Sequence, residues 1–180
     1  IDPALAALII TLPSTMEMAE RLDVVDIEGI PQSREFIKRR LAASLEDELM
    51  AQYRANTADS SSQDPVAVAR RSLKNACLAL LGASPLAERL VGDQFEGADN
   101  MTDSIAALST ATDNCLACRP ALMAAFETRW QEVALVMDKW FALEGAVPEA
   151  SSLERIKALT EHPLFLWDNP NRVRSLLGSF

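Results

Sequence analysis

The sequence is poorest in the residues that polar chemistry most often uses. Its 180 residues contain one histidine, His162, which excludes every zinc or acid–base motif built on a histidine pair. Six glycines are few for a β-rich fold, which needs many tight turns. Three cysteines, Cys77, Cys115 and Cys118, cannot all pair, and an odd number suits a reducing compartment, so the chain is expected in the cytoplasm. Basic residues are in deficit, 17 against 26 acidic ones for a net charge of −9. That balance argues against a nucleic-acid or anionic-membrane surface. No apolar run approaches the roughly 20 residues that span a bilayer. The stretch Ala4–Leu12 is stopped by Pro13 and has no basic region before it, so no signal peptide is expected. The chain opens at Ile1 without an initiator Met and closes on Phe180, which reads as a chain trimmed at both ends.

Helix signals fill the space these absences leave. A proline at the first helical position loses no hydrogen bond, and a preceding Asp, Ser or Asn can cap the free N–H groups. That pairing recurs at Asp2-Pro3, Asp64-Pro65, Ser84-Pro85 and Asn169-Pro170. Capping boxes are expected at Ser14 with Glu17 and at Ser151 with Glu154, where hydroxyl and carboxylate stand three residues apart. From about 31 to 54, Ile37, Leu41, Leu45, Leu49 and Tyr53 recur every four residues and predict one long helix. Val66, Ala69, Leu73, Cys77 and Leu80 mark a second from Pro65. Further helices are predicted at about 85–95, 101–112, 119–130, 132–145, 151–161 and 170–177. The polar stretch 56–64 reads as an exposed loop. With no convincing strand and no strict repeat, residues 1–180 read as one all-α domain. Its expected architecture is an irregular α–α superhelix of HEAT- or armadillo-like helix pairs.

Few constellations carry chemistry. Cys115 and Cys118 have CxxC spacing, but a zinc site needs four ligands and a thioredoxin-like site needs a βαβ context, so packing is the expected role. His162 follows a predicted helix and is expected to cap its C-terminus. The basic runs 38–40 and 70–74 are expected on solvated faces. Met137, Trp140 and Phe141 belong to an apolar face with Val133 and Val136, leaving Asp138 and Lys139 to pair with neighbouring helices. In Asn169-Pro170-Asn171-Arg172-Val173-Arg174, two arginines stand near a helix N-terminus, where the dipole favours anions. An internal carboxylate or a ligand-lined cavity must hold at least one of them.

Several stretches together are recognisable. They are Ile1–Ala7, Thr11–Ser14, Lys74–Leu78, Asn100–Asp103, Leu135–Phe141 and Asn169–Leu176. On these the chain resembles the C-terminal helical domain of bacterial aminopeptidase N, a family of large zinc metallopeptidases also called alanyl aminopeptidases. The resemblance implies a non-catalytic α–α superhelix that closes over the catalytic domain of the same polypeptide. It implies that the parent releases N-terminal residues, alanine preferred, from peptide substrates. The zinc would be held by a HExxH-plus-Glu site elsewhere, so no catalytic, cofactor or metal residue is expected here. Arg172 and Arg174 are expected to line the substrate cavity. The family's domain would also continue beyond the position of Phe180. The alternative is an independent helical-repeat scaffold binding a peptide or protein partner.

Overall fold

The computed structural model describes residues 1–57, 62–148 and 151–180, and among them every regular element is a helix. In chain order these are α1 (Pro3–Ile10), α2 (Thr15–Ala19), α3 (Gly29–Ser44), α4 (Glu46–Ala55), α5 (Pro65–Leu81), α6 (Ala87–Gly97), α7 (Met101–Asp113), α8 (Arg119–Trp130), α9 (Ala134–Gly145), α10 (Ser152–Thr160) and α11 (Pro170–Leu177). They form two compact units, Ile1–Ala107 and Leu108–Phe180.

The first unit is organised around α5, which packs against α1, α3, α4 and α6. Local chemistry starts its helices where the sequence predicts. The Asp2 carboxylate accepts from the N–H groups of Ala4 and Leu5, and that of Asp64 accepts from Val66. The Ser14–Glu17 capping box forms in both directions at α2. Donation from the Ser14 N–H and hydroxyl holds the Glu17 carboxyl below its ordinary range. Ser84-Pro85 behaves differently. Its hydroxyl accepts from the Leu86 N–H, a tight turn results, and α6 starts only at Ala87.

Two expectations about this unit are corrected. The helix expected over 31–54 is two, α3 and α4, broken at Leu45 (φ −123°, ψ 21°). In α3 the buried phase runs through Ile30, Lys38 and Ala42, one residue away from the expected stripe, and Ile37 and Leu45 stay exposed, whereas Leu49 of that stripe is buried in α4 as expected. Arg71 and Lys74 likewise leave the solvated face. With Ala67, Leu78 and Leu81 they make the buried seam of α5, spaced alternately by four and three residues as in a helix packed along its length. Of the expected loop 56–64, residues 58–61 lie outside the described residues. Asn56 is buried and its amide donates to the Gln52 carbonyl at 2.7 Å.

The seam is polar because α7 answers it. Lys74 Nζ meets Asp103 Oδ2 at 2.5 Å, both side chains being almost completely buried. The Asn75 amide donates to Asp103 Oδ1 at 2.9 Å and that of Asn100 to Oδ2 at 3.0 Å. Gln94 of α6 donates to the Asp103 carbonyl at 3.1 Å. Asp103 thus ties three helices: its carboxylate joins α5 to the start of α7, with both oxygens occupied as a buried charge requires, and its main-chain carbonyl takes α6.

The second unit is organised around α9, which packs against α8, α10 and α11. Met137, Trp140 and Phe141 are its buried face, whereas Val133 is exposed. The Trp140 indole N–H donates to the Met123 carbonyl at 3.1 Å, fixing α8. Arg119 donates to Thr112 and to the Leu143 carbonyl and pairs with Glu144 at 3.1 Å, and Glu144 also meets Arg155 of α10 at 3.3 Å. Gly145 is required where α9 meets α11, since a Cβ there would lie 2.5 Å from the Leu176 carbonyl oxygen. The capping box expected at Ser151 is absent. Its side chain makes no capping bond, and the Ser152 hydroxyl donates to the Val147 carbonyl instead.

The CxxC spacing has a structural origin. Cys115 adopts φ +47°, alone among the described non-glycine residues. Its N–H donates to the Thr112 carbonyl at 3.2 Å, and the Leu116 N–H donates to the Ala111 carbonyl at 3.0 Å. That is the Schellman closure of α7, with cysteine at the left-handed position usually given to glycine. Cys118 is the N-cap residue of α8. The two thiols therefore mark the end of one helix and the start of the next. Cys77 is fully buried, and burial pushes its thiol up to about 11, whereas Cys115 is exposed rather than packed.

Two stability measurements test these assignments. Asp103→Ala strands a buried ammonium and should cost about 3–5 kcal/mol in urea unfolding; a loss below about 1 kcal/mol would show that Lys74 needs no counter-charge. Cys115→Gly relieves the left-handed backbone and should raise stability by about 1 kcal/mol. A fall in the urea midpoint would show that the cysteine side chain contributes more than its backbone costs.

Candidate functional site

The two arginines of α11 have opposite surroundings. Asn169 caps the helix, its side-chain oxygen accepting from Asn171 at 3.0 Å and Arg172 at 3.3 Å, and Pro170 opens it. Arg172 is 4% exposed and turned into the second unit. Its Nε donates to Asp138 Oδ1 at 2.6 Å, one terminal nitrogen donates to the Leu164 carbonyl, and the other donates to the Ala134 carbonyl at 3.2 Å. Its guanidinium lies 4.8 Å from the centre of the Phe141 ring. Three acceptors and an aromatic face account for a cation at a helix N-terminus, and the internal carboxylate anticipated for one arginine is Asp138.

Arg174 is exposed and lines an open groove of about 520 Å³ between α9 and α11. Leu135, Lys139 and Ala142 form the α9 wall, and Asn171 and Ser175 lie beside Arg174 on α11. Asp138 also borders the groove, but its carboxylate is engaged by Arg172. The remaining charges along the groove, Lys139 and Arg174, are both positive. Such a surface suits an anionic group, above all a carboxylate, which a guanidinium binds through two parallel hydrogen bonds.

His162 does not cap α10 with its side chain. Its Nδ1 accepts from the Leu164 N–H at 3.2 Å, and its Nε2 meets Glu127 Oε1 of α8 at 3.0 Å. The ring also contacts Trp140 and Phe141, with centroids 5.3 Å and 5.6 Å away.

Two other cavities escaped the sequence reading. One of about 460 Å³ in the first unit is bordered by Tyr53, Arg54, Lys74, Asp93 and Gln94. Burial first, then the Asp103 and Asp93 carboxylates, push the Tyr53 hydroxyl up to about 12, so it remains a hydrogen-bond donor at neutral pH. The other, about 250 Å³ in the second unit, is bordered by Cys115, Arg119, Trp140, Glu144 and Arg155. Helix phase is the signal that could have found Lys74 and Arg71, since both are in step with Leu78. Nothing in the sequence pairs Lys74 with Asp103, 29 residues later.

The donor set does not fit a zinc site. Among the described residues no three His, Cys, Asp or Glu side chains converge as metal ligands would. No described helix is long and apolar enough to cross a membrane.

Comparison with known proteins assigns the fold to a family. The family described as "Domain of unknown function (DUF3458_C) ARM repeats" matches residues 1–180. Aminopeptidase N of Escherichia coli (strain K12) is 48% identical over the whole of this chain, and that of Haemophilus influenzae is 45% identical over 99% of it. In each case the match covers 21% of the relative, so the chain spans about a fifth of their length. Among solved structures, Legionella pneumophila aminopeptidase A in complex with aspartic acid superposes with a TM-score of 0.88 at 27% identity, over all of this chain and 22% of that one. The all-α architecture of armadillo type follows, and the chain belongs to the DUF3458_C family of ARM-repeat domains, as a homologue of the C-terminal part of bacterial aminopeptidase N.

Proposed function

We propose that this chain is a non-catalytic helical cap of a zinc-dependent aminopeptidase of the N type. In this reading it encloses the active-site cavity and controls which peptides enter. The parent would release N-terminal residues, alanine preferred, in the cytoplasm, a reducing compartment that suits an odd number of cysteines. In this reading zinc and the hydrolytic groups belong to the rest of the polypeptide; among the described residues no three His, Cys, Asp or Glu side chains converge as metal ligands would.

The observation that carries the reading is the division of labour on α11. Arg172 is buried on three acceptors and fixes the helix. Arg174, two residues on, stands in a groove whose free charges are positive. A peptide trimmed from its N-terminus carries its carboxylate at the far end, and the groove offers Arg174 and Lys139 to receive it. The cavity role expected of both arginines is therefore proposed for Arg174, with Arg172 as its support. Binding of that kind acts on substrate affinity and length preference and leaves bond cleavage to other groups.

Steady-state kinetics on the full-length parent test this. Arg174→Ala should raise KM for short peptides roughly tenfold, the equivalent of 1.4 kcal/mol, with kcat little changed. Peptide amides, which lack the carboxylate, should be nearly indifferent to the substitution. Equal effects on acids and amides, or none on either, would remove Arg174 from the binding surface. Arg172→Ala should instead lower stability by about 2–4 kcal/mol by leaving Asp138 without its partner. The isolated chain should not hydrolyse alanyl chromogenic substrates, with or without added zinc.

A further inference from the structure

We propose that His162 is a positioning residue that holds α11, and with it Arg174, through the backbone of Leu164. The proposal rests on the reading of Arg174 above only for its effect on substrate; the mechanical link is a matter of geometry.

The link runs through one residue used on both sides. The Leu164 N–H donates to His162 Nδ1 at 3.2 Å, while the Leu164 carbonyl accepts from Arg172. Leu164 thus stands between the imidazole and the guanidinium that anchors α11. Phe141 joins the same pair from the other direction. Its ring meets His162 edge-on at 5.6 Å and lies 4.8 Å from the Arg172 guanidinium.

The imidazole can play this part in one proton arrangement. Nδ1 must keep its lone pair to accept from Leu164, so the ring proton sits on Nε2, where Glu127 receives it at 3.0 Å. Each nitrogen of the neutral ring has one job, acceptor or donor. Glu127 on α8, Trp140 and Phe141 on α9, and Leu164 in the connection to α11 therefore all bear on one ring. The charged groups around it are Glu127 on one side and the Arg172–Asp138 pair beyond Phe141 on the other. A residue that only filled space between Trp140 and Phe141 would not need either nitrogen placed.

Two substitutions separate the nitrogens. In His162→Asn the side-chain oxygen occupies the Nδ1 position and can still accept from Leu164, but the bond to Glu127 is lost. In His162→Gln the terminal amide reaches the Nε2 position and can still donate to Glu127, but the acceptor for Leu164 is lost. Both lose the aromatic ring, so packing loss is common to the two and cancels between them. Amide hydrogen exchange on the full-length parent reads the position of α11 directly, with α9 as the internal reference.

Exchange across residues 173–178 should accelerate roughly tenfold relative to α9 in His162→Gln and remain near wild type in His162→Asn, a tenfold change corresponding to about 1.4 kcal/mol. KM for peptides bearing a free carboxylate should follow the same order, with kcat unchanged. Faster exchange with unchanged KM would uphold the link to α11 and sink the substrate role of Arg174. Equal exchange in the two variants would overturn the proposal, and so would a shift in KM without a shift in exchange. Should His162→Gln fail to fold, wild-type exchange in His162→Asn would still uphold the need for an acceptor at Nδ1, and accelerated exchange there would refute it.

Discussion

A cation taken out of water must meet its counter-charge inside the protein, because the cost of leaving it alone exceeds what most single contacts return. Both units of this chain are arranged around that constraint. In the first, Lys74 on the central helix is met by Asp103 and the amides that surround it. In the second, Arg119 is met by Glu144, and Arg172 by Asp138. Each pair joins segments distant in sequence, by 29, 25 and 34 positions respectively. Apolar stripes of similar volume could bind the same helices, but they tolerate sliding. A charge with fixed acceptors does not, so these pairs set register where leucine and alanine would leave it loose.

This explains which features were legible in the sequence. Helix starts were readable at Asp2, Ser14, Asp64 and Asn169 because a cap needs only residues within one turn of itself. The all-α class was readable for a similar reason, since periodicity is local. The phase of burial was not. Ile37 and Leu41 look like the inward face of α3, yet Lys38 and Ala42 are the buried positions. Which side of a helix is inward depends on its neighbours, and a lysine can take an inward place once an acceptor stands opposite. The CxxC spacing, for which packing was the expected role, has a local origin, and Cys115 is exposed. Its two cysteines are near each other because only the five residues 114–118 separate α7 from α8, with the left-handed turn at Cys115 closing the first and Cys118 at the N-cap of the second. His162 was assigned to a helix end from its place in the sequence; its Nδ1 does take a local partner, the Leu164 N–H two residues on, but the Glu127 carboxylate at Nε2 is brought to it by the tertiary fold.

The arginine pair shows how a buried structural requirement and the charge of an exposed groove can share one helix. Residues two apart on a helix point roughly 200° from each other, given 100° per residue. Arg172 and Arg174 therefore could not both face inward. Asp138 and the carbonyls of Ala134 and Leu164 decide which does. Once Arg172 takes the carboxylate of Asp138, that acid no longer neutralises the groove it borders. The positive character around Lys139 and Arg174 is thus a consequence of a buried ion pair. A neutral residue at position 172 would free Asp138 to turn toward Arg174, and the groove would lose its positive character even with Arg174 in place. The sign of the exposed surface is set from beneath it.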